Sequence, residues 1–420
     1  MMYEPKQETT HSVEKKRLWV VSELYYPEVT STGYYLTKIA EGLGEIADVK
    51  VICGQPNYAS RGVVAPRREC HKDVEIFRVS GTRLDKNVIL FKLVNMLTLG
   101  VSIFFKALAN VRAGDDVLVV TTPPSLPFVI AIASLARGGC YSLLIHDNYP
   151  EILVAARKTK PDSMVVKLNH LFNRWLYKHS TRIIVVGRDM EQLIAKKTAG
   201  LDVPISTIPN WGEIDEVKPV PKEQNRLLAE LGLQNKFVFL YAGNMGHPND
   251  VESIVKAASE LKNPDIHFVF LGTGAKRKWL ENYVRDNDLK NVTLLDPRPR
   301  TEQIDFLNAC DVAIVSLVSR MCGVSMPSRT YNILAAGKPI LALTDEGSEV
   351  ALTIADDNLG WIVPPEDPEK FGSAVNQIYA SRDMLPGMSE RARKAAERRF
   401  GLAAAVAKYR VLFSVPRVTR

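Results

Sequence analysis

The sequence lacks any run of about 18 uncharged apolar residues, the length a membrane-spanning helix requires. Its longest apolar stretches, around Val88 to Val111 and Leu126 to Leu144, are interrupted by Lys92, Lys106 and Arg137, so no transmembrane helix is expected. A secretory signal is also missing: the opening MMYEPKQETTHSVEKKRL is polar and mixed in charge, with no apolar central segment. A cytoplasmic chain is the expectation. The cysteines Cys53, Cys70, Cys140, Cys310 and Cys322 stand far apart, are odd in number and form no CxxC pair. They read as reduced, mostly buried thiols rather than a disulfide framework. The histidines show no HExxH or other zinc spacing, so no zinc site is expected, and a weakly bound magnesium ion stays open. No basic stripe interleaved with aromatics is present, which argues against nucleic-acid binding.

What is present describes a globular chain. At 420 residues, 46% hydrophobic and 24% charged, it suits two domains of roughly 150 residues or more. The formal charge of +7 is unevenly spread: residues 1–210 hold 27 Lys+Arg against 20 Asp+Glu, and residues 211–420 hold 27 against 27. The excess points to an anionic partner for the first half, a membrane surface, a phosphorylated acceptor or nucleic acid, or simply to a basic solvated face.

Short β-rich runs recur with helix-compatible stretches between them. In the first half they are LWVV (18–21), VKVIC (49–53), VEIFRV (74–79), VLVVTT (117–122), YSLLIHD (141–147) and RIIVV (182–186). The second half repeats the pattern with FVFLYAG (237–243), HFVFLGTG (267–274), NVTLL (291–295), DVAIVSL (311–317), PILALTD (339–345) and GWIVPP (360–365). Such alternation predicts an α/β chain with two doubly wound parallel sheets. The expected domains are 1–210 and 211–400, joined through the Pro-rich, charged stretch 208–224, with 401–420 a helix returning to the first domain. Ligands of open parallel sheets sit beyond the C-terminal strand ends, so chemistry is expected in the cleft between the domains.

Several loops there suit a nucleoside diphosphate. Gly243 and Gly246 lie on a strand-to-helix turn, where backbone amides and the helix dipole favour an anion, although glycines also serve such turns for steric reasons. Gly272 and Gly274 precede a helix start carrying Lys276, which reads equally as a phosphate ligand or as a solvated basic face. The spacing does not match a dinucleotide fingerprint, since no third glycine follows. Pro327 and Ser328 read as a helix start, with Ser328 a candidate N-cap, and Arg329 falls in the first turn. A cation at the positive end of a helix makes sense beside an anionic ligand, which the Arg fork can grip bidentately.

The run PSRTYNILAAGKPILA, with YAGNMG before it and GWIVPPED after it, resembles glycosyltransferase family 4 (group 1), especially enzymes of bacterial cell-surface polysaccharide synthesis. The resemblance extends, in order, to ELYYPEVTSTGYYLTKIAEGL (23–43), LLIHDNYPE (143–151) and IPNW (208–211). It implies a GT-B fold, a nucleoside-diphosphate sugar donor (UDP-linked favoured) in the second domain, an acceptor in the first, and transfer with retention and no metal. It also implies a donor site drawn from Thr32, Gly33, Gly243, Asn244, Gly246, Gly272, Gly274, Lys276, Arg298, Ser328, Arg329, Tyr331 and Asn332. The catalytic candidates are Arg329, Asp147 and His146, Asp147 matching the acid of the family's Asp-x-x-Pro-Glu pattern completed by Pro150 and Glu151. No general base stands out.

The chain departs from the family where relatives carry a Glu pair, here Val324 and Asn332, and where relatives carry Arg and Lys, here Asn244 and Asn249. Arg329, helped by Lys276, is therefore expected to carry more of the phosphate charge. The acceptor is expected to be a glycan or a polyprenyl-diphosphate-linked glycan. The apolar helix candidate 95–112, about 27 Å long at roughly 1.5 Å per residue, either packs in the core or rests on an anionic membrane beside Lys92, Lys106 and Arg112. Two alternatives keep the fold: a nucleotide-sugar epimerase, and a non-catalytic nucleotide-sugar-binding subunit.

Overall fold

The computed structural model describes residues 15–56, 64–82, 84 and 89–415. The segment on which the absence of a signal rests lies mostly outside them, as do residues 416–420 and the side chain of Lys92.

The first sheet contains β1 (Arg17–Ser22), β2 (Asp48–Cys53), β3 (Arg68–His71), β4 (Val74–Arg78), β5 (Asp116–Val120), β6 (Cys140–Ile145), β7 (Arg182–Val185) and β8 (Ile205–Thr207), in the order β3-β4-β2-β1-β5-β6-β7-β8. The second contains β9 (Phe237–Ala242), β10 (Ile266–Leu271), β11 (Val292–Leu295), β12 (Val312–Ser316), β13 (Ile340–Leu343) and β14 (Gly360–Val363), in the order β11-β10-β9-β12-β13-β14. Central strands such as β5, β9 and β10 are buried at every position, as expected where helices cover both faces and the sequence shows continuous rather than alternating apolar runs.

Two strands escape the sequence pattern. The β3 segment is the polar edge sequence RECH, paired antiparallel to β4 through a tight turn in which Lys72 and Asp73 take φ of 48° and 62°. The β8 strand has three residues and no apolar run.

The helices are α1 (Ser31–Leu43), α2 (Ile89–Asn110), α3 (Leu126–Ala136), α4 (Glu151–Ala155), α5 (Met164–His179), α6 (Arg188–Lys197), α7 (Arg226–Leu231), α8 (Val251–Glu260), α9 (Arg277–Asp286), α10 (Gln303–Asn308), α11 (Arg329–Ala335), α12 (Glu349–Asp357), α13 (Pro368–Ala380), α14 (Leu385–Arg399) and α15 (Leu402–Ser414). The first begins at Ser31, six residues before the expected TKIAEGL segment, because Thr30 caps it by accepting from the Gly33 amide.

The chain crosses between the sheets twice at one point. Gly212 bridges to Gly401, with the Gly212 amide donating to the Phe400 carbonyl at 2.9 Å. Beyond that crossing, α15 lies against α1: Arg410 Nε donates to the Gly42 carbonyl at 2.8 Å, and a Cβ on Gly42 would stand 2.5 Å from Val406.

The span Leu93–Asn110 within α2 is long and apolar enough to cross a membrane by length and composition alone. One of its faces nevertheless enters the core through Leu99, Ile103, Ala107 and Val111 just beyond it. The thiols also differ from expectation: Cys53 and Cys310 are buried, whereas Cys70 and Cys322 are exposed, and all five are free.

Candidate active site

The C-terminal ends of β9, β10 and β12 face the first sheet, and the loops leaving them lock together. The Gly243 amide donates to the Leu271 carbonyl, the Gly272 amide to that of Leu295, and the Met245 amide to that of Thr273. The first of these bonds corrects the expectation of a free amide at Gly243. Gly272 and Gly274 are needed for close approach: their φ values are 139° and 150°, and a Cβ would lie 2.1 Å from the Gly243 oxygen and 2.5 Å from the Met245 carbonyl carbon, respectively. Gly246 is buried in the same loop, and Asn244 and His247 are the exposed residues there. The start of α8 is closed as well, since Asp250 caps it at the Ser253 amide and accepts from the Glu366 amide.

Arg329 enters this frame from α11. Its Nη2 donates to Asn249 Oδ1 at 2.9 Å, and its guanidinium lies 4.8 Å from the centre of the Tyr241 ring. Gly243, with φ of 146°, leaves the room: a Cβ there would stand 2.9 Å from Arg329 Nη1. That Nη1 is buried and has no hydrogen-bond partner among the described residues. No carboxylate pairs with Arg329 among them either, so a guanidinium is held at the cleft with its charge unanswered. A buried donor without a partner is costly, and an anionic ligand removes the cost.

The other expected cations are occupied. Lys276 Nζ bonds the Asn249 carbonyl at 2.7 Å and Glu252 at 2.8 Å, so its charge is already neutralised. Arg298 divides its fork between Glu230 and Glu302. Its assignment to the donor site is corrected to an ion-pair role. Arg300, which no sequence motif marks, lies over Tyr34 at 4.0 Å and bonds Glu213 of the interdomain segment.

The remaining α11 candidates separate. Ser328 is at the N-cap position but makes no cap with its side chain. Its hydroxyl instead donates to Ser31 Oγ at 3.1 Å. The starts of α1 and α11, one from each sheet, therefore meet across the cleft. Thr32 is half-buried at that start, while the Gly33 amide is taken by the Thr30 hydroxyl and its Cβ position would meet the Glu28 oxygen at 2.7 Å. Tyr331 is fully buried with its ring 5.0 Å from that of Phe400, a core position rather than a ligand surface. Asn332 Oδ1 accepts from the Glu213 amide at 2.8 Å, pinning the interdomain segment instead of facing open space. Val324, at the other expected carboxylate position, is buried in a small apolar cluster with Leu317, Val318 and Met321.

His146 and Asp147 end β6 opposite these loops. The His146 ring stands edge-on to Tyr35, and its Nε2 is buried without a partner among the described residues, so burial lowers its pKa to about 4 and leaves the ring neutral near pH 7. Burial raises Asp147 to about 6, with the Thr122 hydroxyl opposing. Asp147 bridges to Ser325 through backbone, and Asn148 donates to the carbonyls of Val324 (2.8 Å, from its amide) and Gly323 (2.7 Å, from its side chain). A second seam carries no motif that sequence reasoning could find: Asp189 Oδ2 accepts from the amides of Gly323 and Glu349, and Arg188 forks onto Glu349. Among the described residues no group of three His, Cys, Asp or Glu side chains is placed to hold a metal.

Residues 223–397 match the family model for glycosyl transferases group 1. The chain is 32% identical over 365 residues to the probable glycosyltransferase WbjE of Pseudomonas aeruginosa, covering 86% of this chain and 89% of that one. It is 24% identical over 395 residues to the putative colanic acid biosynthesis glycosyl transferase WcaI of Escherichia coli K12, covering 89% and 94%. Among solved structures, Anabaena HepE in complex with UDP superposes with a TM-score of 0.71 at 14% identity, covering 95% of this chain and 99% of that one. The two facing sheets are the GT-B fold.

Proposed function

The chain belongs to the group 1 glycosyl transferases, and from that premise we propose that it moves a sugar from a UDP-sugar to a glycan or polyprenyl-diphosphate-linked acceptor in cell-envelope polysaccharide synthesis. The observation that carries the donor side is the unpaired guanidinium of Arg329, with one buried N–H unsatisfied, at the strand ends of the second sheet. UDP in the solved HepE complex and the polysaccharide context in the WcaI name support the same class of donor and product.

When the glycosidic bond of the donor breaks, negative charge gathers on the departing diphosphate. A preorganised cation lowers that barrier because it needs no reorientation as the charge forms. Arg329 supplies the cation, and the start of α1, facing Ser328 across the cleft, adds a positive helix end beside it. Asn244 and Thr32 complete the phosphate side of the site in this reading. Asp147, its pKa raised by burial to about 6, stands where it can meet the sugar or the acceptor hydroxyl. The assignment of Asn332 to the ribose is not retained, since its Oδ1 is engaged by Glu213. Retention and metal independence are part of the proposal.

The acceptor side looks toward a membrane. Residues Leu90, Leu93, Leu97, Val101 and Phe105 of α2, Ile132 and Leu135 of α3, and Met164, Val165, Leu168, Leu171, Phe172 and Trp175 of α5 are exposed apolar side chains. Such an area supports a cytoplasmic enzyme that rests on the inner face of the membrane.

The test is a thermal-stability scan with UDP, GDP, ADP and their sugar conjugates, followed by transfer assays with the conjugates that bind. Stabilisation by uridine nucleotides, lost in Arg329→Ala, is the expected result. Binding of none, or unchanged kinetics in Arg329→Ala, refutes the donor site.

A further inference from the structure

At the edge of the cleft a pocket opens between the chain joining α4 to α5 and the loop after β12. Four cations line it, Arg157, Lys158 and Lys160 from the first side and Arg320 from the second. Arg157 Nη2 donates to both carboxylate oxygens of Glu366, at 2.7 and 2.8 Å, and the Ser319 hydroxyl also donates to Glu366. Lys158, Lys160 and Arg320 have no carboxylate partner among the described residues. Like charges gathered around one concavity repel, and an anion bound there relieves the repulsion.

The backbone singles out the same place. Among the described residues, seven that are not glycine take left-handed φ values, and three of them meet here from three different loops: Arg157 (56°), Arg320 (67°) and Glu366 (62°). Arg157 occupies the position after α4 where the Lys158 amide turns back to the Leu153 carbonyl, a place at which glycine is the low-cost residue. Holding side chains in this region is disfavoured, and residues so held cluster at active sites and ligand clamps.

The pocket lies between two features already described. On the cleft side, His247 of the loop after β9 is held below the ordinary histidine value by burial and then by the charges of Lys158 and Lys276. On the outer side, the exposed apolar face of α5 begins at Met164, four residues after Lys160. An apolar face, a cluster of cations and a sugar-transfer cleft follow one another along the surface.

We infer that this pocket binds the diphosphate of the acceptor, with its glycan end directed into the cleft and any lipid tail leaving across α5. The inference rests on the transferase reading above and names the group by which that acceptor is held. Lys158, Lys160 and Arg320 are its phosphate ligands, and Arg157 is poised to exchange Glu366 for phosphate oxygens. Because Arg320 and Arg157 come from opposite sides of the cleft, the bound diphosphate also ties the two sides together.

The test uses the full chain and the variant Lys158→Gln/Arg320→Gln, whose two replaced side chains are exposed and unpaired with any carboxylate among the described residues. Inorganic pyrophosphate and farnesyl diphosphate are titrated calorimetrically at fixed ionic strength with saturating UDP present. Both are expected to bind wild type, and to bind the variant about 10- to 100-fold more weakly, at roughly tenfold for each charged hydrogen bond removed. UDP affinity should be equal in the two proteins, which also certifies the variant's fold. Tighter binding of farnesyl diphosphate than of pyrophosphate identifies a lipid-linked acceptor, and equal binding a soluble diphosphate; either supports the site. Equal pyrophosphate affinity in wild type and variant, or one-for-one competition with UDP, overturns it. If UDP binds neither protein the donor reading fails, while the comparison of pyrophosphate affinities still decides the pocket.

Discussion

Arg329 keeps its position because Gly243 has no side chain to occupy it. Gly243→Ala would place a methyl 2.9 Å from Arg329 Nη1 on a backbone with φ of 146°, and a loss of roughly 1–3 kcal/mol in unfolding free energy is expected. Because part of that loss is the clash, it should shrink when Arg329→Ala is added, as a double-mutant cycle by denaturant titration would reveal. Arg329→Ala alone should lower turnover by about 10²- to 10³-fold, measured as kcat with saturating donor and acceptor. The pair at the end of β6 gives a pH signature. Burial lowers His146 from 6.5 to about 4, so its contribution to stability is present above pH 6.5 and is lost as pH falls through 4. Asp147 is raised from 3.8 to about 6, so its contribution is present below 3.8 and is lost as pH rises through 6. Asp147→Asn should therefore be more stable than wild type at pH 8 and not at pH 3.5, and His146→Phe should flatten acid unfolding between pH 6.5 and 4. A variant Asp147→Asn that tracks wild type across that range would show that Asp147 is solvated. Arg329 and this pair were legible as residue types at loop ends. That Nη1 is left without a partner was not, because it depends on where Asn249 and Gly243 stand.

At the scale of elements, α2 and α5 present apolar faces that the first sheet does not bury. In α2 the exposed residues Leu93, Leu97, Val101 and Phe105 recur every four positions while Leu99, Ile103 and Ala107 face the core, so one helix serves both readings of the 95–112 segment. Lys106 is drawn inward, its Nζ 4.5 Å from the centre of the Phe77 ring, and Arg112 remains exposed. In α5 the exposed set Val165, Leu168, Phe172 and Trp175 recurs at alternating steps of three and four, which also lie on one helix face. We expect the protein to sediment with vesicles containing anionic lipid at low salt. The variant Leu97→Glu/Leu168→Glu should stay in the supernatant with its melting temperature unchanged, because both positions are exposed. Sedimentation equal to wild type would remove these helices from the membrane contact. The apolar character of α2 was plain in the sequence, whereas that of α5 was masked by interleaved Lys167, Asn169, His170 and Arg174, which only the helical wheel separates.

At the scale of the molecule, two kinds of interdomain contact oppose each other. Gly212 and Gly401 bring the two chain crossings together, a narrow joint at which a Cβ on Gly212 would meet the Tyr331 oxygen at 2.6 Å. Across the cleft, Asp189 holds the amides of Gly323 and Glu349 while Arg188 holds the Glu349 carboxylate. Removing Asp189 leaves two buried amides without an acceptor, so Asp189→Ala should favour an open cleft. Small-angle X-ray scattering of the ligand-free protein should give a larger radius of gyration for the variant, and the KM for donor should rise more than kcat falls. Identical scattering curves would assign Asp189 to local packing alone.

The central strands of both sheets, their alternation with helices, the family resemblance and the loops in which chemistry would be found are all written in the linear order of residues. Continuous apolar runs bounded by glycine and proline encode these locally, since each run must be buried wherever it lies. Which candidates carry usable charge is settled by folding. Lys276 and Arg298 are quenched by Glu252 and by Glu230 with Glu302, Tyr331 and Asn332 serve the core and the joint, and Arg329 is left unpaired. Folding also gathers Arg157, Lys158, Lys160 and Arg320 at one pocket. A cation's role depends on its distance from acids far away in the chain, and that distance exists only once the chain has folded.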